Sequence, residues 1–187
     1  MNNLILQIKK DLRASMNGVA SAAMRSSADY RVNFGVELPR LHDLAEEYGK
    51  NHELAQALWK ESVRECRIMA TLIQPAELFD EDFADLWMES LHTVELAQIT
   101  ALNLFQNMKC ASVKAFQWLA SDEEIKQVTG LSIISHLMRR STLNERSLYE
   151  LRDQLDALLE AEESTIAIRR LASNMIYNLE NGETKDD

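Results

Sequence analysis

Trp59, Trp87 and Trp118 recur at intervals of 28 and 31 residues, each near the end of a short apolar segment with helical spacing. A longer helical segment follows each of them. HELAQALWKES, ending near Ser62, precedes VRECRIMATLIQ, which stops at Pro75; FADLWMES precedes HTVELAQITALNLFQ; SVKAFQWLAS precedes DEEIKQVTGLSIISHLMRR. NERSLYELRDQLDALLEAE and STIAIRRLASNMIYNL make a last pair. A repeat of this length, built from two helices, cannot bury its apolar faces alone, so successive pairs must stack. The middles of the longer segments carry the small residues Ala70, Ala101, Gly130 and Ala172, which let neighbouring helices approach. Five Gly and two Pro in 187 residues leave room for little besides helix. The expected fold is all-α, an α-solenoid of helical hairpins, with a helical bundle of the same hairpins as the alternative. One domain is expected over residues 1–180, with a polar, disordered tail at 181–187.

Upstream of the repeats, residues 2–14 read as an amphipathic helix with Leu4, Ile5, Ile8 and Leu12 on one stripe. Asn17 and Gly18 mark a break, an Ala/Ser-rich helix follows, and DYRVNFGVELP loses the helical period at Gly35 and Pro39. A further helix then runs to Gly49. The short apolar run at Leu4–Leu6 fits neither a signal peptide nor a membrane span, so the expected location is cytoplasmic, with no membrane partner. Cys66 and Cys110 lie far apart without CxxC spacing and read as free thiols.

The formal charge of −10 is unevenly placed. Residues 1–70 carry ten basic and nine acidic side chains, 71–108 none and seven, and 109–187 ten and fourteen. That balance weighs against a broad phosphate-binding surface and favours a basic protein or peptide partner for the acidic block, although a total says nothing about individual faces. His92-x-x-Glu95 would place two proton-transfer or ligand groups on one helix face, but the neighbouring sequence supplies no third ligand, and neither a metal nor another cofactor is expected. Arg64, Arg67, Lys126, Arg139, Arg140, Arg169 and Arg170 fall in or just after the second helices of successive pairs, which line the concave side of a solenoid. They can form a phosphate-tracking strip or pair with acidic neighbours such as Glu65, Glu123 and Glu124. The tryptophans read as hairpin core.

FGVELPRL around Gly35, ALWKESVRECRIMA from Ala57 to Ala70, and QWLASDEE from Gln117 to Glu124 together resemble the AlkD-type DNA alkylation repair proteins, over about Tyr30 to Leu179. The resemblance implies a HEAT-like α-solenoid and a metal-independent glycosylase that removes cationic alkylated purines from duplex DNA. In that chemistry an aspartate stabilises the developing sugar cation, aromatic faces hold the base, and an arginine grips the backbone. The aspartate position falls on Glu95, the aromatic before it on Leu91, the arginine on Val128 and the second aromatic on Asn174. Glu95 is therefore the candidate catalytic residue, with Arg64, Arg67, Lys126, Arg169 and Arg170 as candidate DNA contacts. With the other positions replaced, the expectation is a divergent glycosylase-like family member that keeps only the carboxylate of the family's site, and the alternative is a non-catalytic helical-repeat scaffold for a basic protein or peptide.

Overall fold

The computed structural model describes residues 2–27, 30 and 32–181. Eleven α-helices follow one another there: α1 (Asn2–Ala14), α2 (Gly18–Ser27), α3 (Leu38–Tyr48), α4 (His52–Trp59), α5 (Arg64–Ile73), α6 (Glu81–Glu89), α7 (Val94–Asn103), α8 (Ala111–Leu119), α9 (Glu124–Arg139), α10 (Glu145–Glu160) and α11 (Ile166–Asn181). Short 3-10 turns at Ala76–Leu78 and Phe105–Asn107 precede α6 and α8. Residues 182–187, most of the tail expected to be disordered, lie outside the described residues; Asn181 ends α11.

Local chemistry sets the boundaries. Asn51, Asp80, Thr93 and Asn144 each accept a hydrogen bond from the backbone amide three residues on, satisfying a donor that the first turn of a helix leaves open. Pro39 sits in the first turn of α3, where its missing N–H costs nothing, and Gly49 ends that helix at φ 67°. Thr93 also decides one expectation against the sequence reading. Because α7 starts at Val94, His92 lies before the helix while Glu95 is in its first turn, so the two do not share a helix face.

The second helix of each pair packs on the next, α5 on α7, α7 on α9 and α9 on α11. The tighter layer of a stacked array becomes its inner, concave side, and this layer holds Ala70, Ala101, Gly130 and Ala172, all buried. The fold is a HEAT-like α-solenoid. Helices α4, α6, α8 and α10 form the outer layer, and α1 and α3 close the first end against α4 and α5.

The tryptophans are core, as expected, and touch through an aromatic ladder that crosses three repeats. Trp59 and Trp87 stack face to face at 4.0 Å, Phe79 meets Trp87 edge-on at 4.8 Å, and Phe105 links Phe79 to Trp118. Indole N–H groups are satisfied, Trp59 on Ser90 Oγ at 2.7 Å and Trp87 on Gln56 Oε1 at 3.1 Å. Each such ring pair adds roughly 0.5–1.5 kcal/mol beyond its buried area. Burial pushes the Cys66 thiol up to about 12, which keeps it protonated.

Helices α8 and α9 approach closely at Gly130. A Cβ on Gly130 would fall 2.5 Å from the Ala115 carbonyl oxygen and 2.9 Å from the Leu119 nitrogen, both backbone atoms that cannot yield. Gly130→Ala should therefore lower stability by about 1–3 kcal/mol despite the better helix propensity of alanine. Urea unfolding should show a lower midpoint at unchanged slope, and an equal or higher midpoint would contradict the packing.

Candidate functional site

The site is built on a carboxylate removed from water. Glu65, on the first turn of α5 and with no exposed surface, accepts hydrogen bonds from the backbone amides of Phe34 (3.0 Å), Gly35 (2.9 Å) and Val36 (3.3 Å). Those bonds fold the irregular segment between α2 and α3 onto the start of α5, where Val32 and Val63 form an isolated parallel bridge. Gly35 is required there. At φ 69° it turns the chain so closely that a Cβ would lie 2.4 Å from the Asn17 oxygen and 2.5 Å from the Ser21 nitrogen.

Arg64, 2% exposed, stands beside Glu65 and reaches across to α7. Its Nε donates to Glu95 Oε2 at 2.9 Å and its Nη2 to Oε1 at 2.5 Å, a two-pronged pair that engages both carboxylate oxygens. Nη1 lies 3.3 Å from both the Val36 carbonyl and Glu65 Oε1. Tyr30, placed by the same segment, donates its hydroxyl proton to Glu95 Oε2 at 2.6 Å and takes a hydrogen bond from the Thr93 hydroxyl at 2.9 Å. Burial pushes the Glu95 carboxyl up, but the bonds from Arg64 and Tyr30 outweigh it and hold the group below its usual range. Glu95 is thus ionised and already partnered. A cleft of about 380 Å³ opens beside it, lined by Tyr30, Ser62, Arg64, Arg67, His92, Thr93 and Leu96.

Of the other residues singled out in the sequence, Arg67 and His92 line this cleft, and the rest are dispersed. Arg67 lies over the Trp59 ring at 5.5 Å and donates to the carbonyls of Glu61 (3.1 Å) and Ser90 (2.7 Å). Lys126 pairs with Glu123 at 2.5 Å. Arg169 donates to the carbonyls of Leu159 (2.8 Å), Ala161 (2.6 Å) and Ser164 (3.1 Å), closing the end of α10, while Arg170 is exposed. Leu91 and Val128 are buried, and Asn174 is exposed on α11. Among the described residues no three His, Cys, Asp or Glu side chains are grouped to hold a metal ion.

Sequence reading missed Tyr30 and Glu65. Tyr30 lies in a segment without periodicity, so nothing local aims it at α7. A glutamate between two cationic neighbours, Arg64 and Arg67 in VRECR, reads as an ordinary surface ion pair; the signal for burial is the apolar residues around it.

Charge divides by layer. Helices α5, α7, α9 and α11 carry six Lys or Arg and four Asp or Glu, whereas α4, α6, α8 and α10 carry three and ten. Six of the seven acids in the cation-free block lie on α6 or just before it, and only Glu95 belongs to an inner helix.

The Arg64–Glu95 pair sets a pH dependence. A carboxyl held below its unfolded value of about 4.3 contributes stability that is present above that pH and lost as pH falls through the folded value. Glu95→Gln should cost about 1–3 kcal/mol at neutral pH, less than for a fully buried pair because the carboxylate is half-exposed. In urea unfolding across pH 3–7 the gap from wild type should narrow below about pH 4; a gap constant over that range would refute the assignment.

Comparison with known proteins places this geometry. A solved structure described as belonging to "a new family of proteins related to the HEAT-like repeat DNA glycosylases with affinity for branched DNA structures" superposes with a TM-score of 0.83 and 19% identity. The match covers 95% of this chain and 79% of that one, and at this identity it establishes the fold. Curated proteins give no match. The family model described as DNA alkylation repair enzyme matches residues 8–168, so the chain belongs to the DNA alkylation repair family.

Proposed function

We propose that this family member binds DNA along its inner-helix surface and does not excise alkylated bases. The observation that carries the proposal is the state of Glu95. A carboxylate lowers the barrier to a sugar cation only if its charge is available to that cation. Here both oxygens are engaged by Arg64 and one also accepts from Tyr30. The chemistry would have to proceed beside a guanidinium that cancels the carboxylate. Leu91, Val128 and Asn174, at the positions where the family resemblance places two aromatics and an arginine, offer neither a ring nor a cation.

The distribution of charge supports retained DNA binding. The acidity that counts against a polyanion is concentrated in the outer layer, while inner helices have a cationic excess. The affinity for branched DNA ascribed to the solved relative makes branched duplexes the first substrate to try. In a methylated-DNA assay, release of alkylpurines should stay at background for wild type and Glu95→Gln alike. Binding to linear and branched duplexes should weaken with salt, the log–log slope falling by about 0.9 for each phosphate neutralised, and Arg170→Ala should make it shallower by about 1. Excision that depends on Glu95 would sink the non-catalytic part, and salt-insensitive or absent binding would sink the DNA part.

The outer layer favours a second reading, a scaffold for a basic protein or peptide. Exposed Asp82 and Glu89 flank Leu86 on α6, with Leu78 exposed just before it. Reversing Asp82 and Glu89 to Lys leaves the Asp85–Lys114 pair intact. Under this reading a lysine-rich test peptide binds wild type at low salt and is lost in the double variant; equal binding to both excludes this face.

A further inference from the structure

A depression of about 260 Å³ lies where α7, α9 and α11 meet on the inner surface, and it shares no lining residue with the Glu95 cleft. Its lining includes Gln98, Leu102, Ser132, Ser135, His136 and Leu171, none of them an acid, a lysine or an arginine. Leu102 is 48% exposed, an apolar side chain on the inner layer left half open to solvent.

The polar groups around it are of a specific kind. The Ser132 hydroxyl is spent on the Val128 carbonyl at 2.7 Å, but the Gln98 amide and Ser135 hydroxyl have no partner among the described residues. The Arg139 guanidinium contacts His136 Nδ1. A guanidinium can only donate, so Nδ1 must accept, and the imidazole is neutral with its remaining proton on Nε2. Burial together with Arg139 and Arg140 lowers the imidazole to about 4, which keeps it neutral at physiological pH. The depression therefore offers one N–H donor, one amide that donates and accepts, a hydroxyl and apolar walls.

That set rejects charged ligands. A phosphate would find no cation in the lining and a cationic group no carboxylate. A flat, neutral heterocycle with alternating donors and acceptors satisfies the polar groups while covering Leu102 and Leu171. The volume, below the roughly 300 Å³ at which drug-sized pockets begin, suits a single ring system. A cation stands at the rim, the exposed Arg139 against His136. Phosphate contacts of this kind position a nucleic acid while the base contact discriminates.

We propose that the depression receives one unpaired nucleobase of bound DNA. The proposal rests on the DNA-binding reading and adds a specificity to it. A base can enter only when it is out of the duplex stack, and the cost is least where it is already unpaired, as at a bulge or an open branch point.

The test uses two duplexes of equal length, one with a single unpaired 2-aminopurine and the other fully paired. Wild type should bind the first about fivefold more tightly, the gain of roughly one net hydrogen bond, and should change the probe's emission. Leu102→Arg adds a cation while blocking the depression, so it should bind the paired duplex at least as well and lose both the preference and the emission change. Gln98→Ala, at an exposed position, should reduce the preference without altering paired-duplex affinity. Equal wild-type affinity for the two duplexes, or a preference that survives Leu102→Arg, overturns the base site while leaving DNA binding in place. Failure to bind either duplex overturns both.

Discussion

The burial of Glu65 is the constraint from which the rest of the site follows. A carboxylate without exposed surface is costly unless its oxygens are filled, and three successive amides from a segment about 30 residues upstream fill them. To present those amides the chain must turn tightly at Gly35 and lie against the start of α5. The same turn sets Tyr30 within reach of α7 and supplies the Val36 carbonyl to Arg64. Arg64, otherwise a buried cation, is compensated by carboxylates on both sides. Removing one member leaves another charge or several amides unpaired, so the cluster acts as one unit joining the first end of the array to its second inner helix.

That arrangement separates two roles that one carboxylate could otherwise combine. Glu95 occupies the position where the family resemblance places a cation-stabilising carboxylate, yet its contacts are those of a structural tie between α5 and α7. Family membership is established by the match over residues 8–168, while the chemistry at Glu95 depends on which partners its oxygens already hold.

Much of the fold was legible because each hairpin carries its own punctuation: Pro75 after α5, Thr93 before α7, an aromatic on each of the first three outer helices and a small residue on each inner one. These are local signals and survive without an alignment. The site was legible only in its parts. Glu95 and Arg64 are both legible in the sequence, but as a catalytic carboxylate and a DNA contact, because their pairing bridges 31 residues and depends on Tyr30, which sits in an aperiodic segment. The spacing of His92 fits the helix of Glu95, but the cap at Thr93 starts that helix at Val94 and leaves His92 outside it. In the sequence the acidic block from 71 to 108 weighs against a broad DNA-binding surface without saying which face carries it. Once α6 is assigned to the outer layer and α7 to the inner, the same charges fall almost entirely on one side.

The segregation of charge between layers also gives the molecule an electrical dipole component directed across the array. Near a polyanion such a dipole experiences a torque as well as a net repulsion. Its acidic layer turns away and its inner layer turns in while the two bodies are still within about 10 Å, the reach of unscreened charge at moderate salt. A protein of net charge −10 can thereby select its docking face during approach, before any side chain touches.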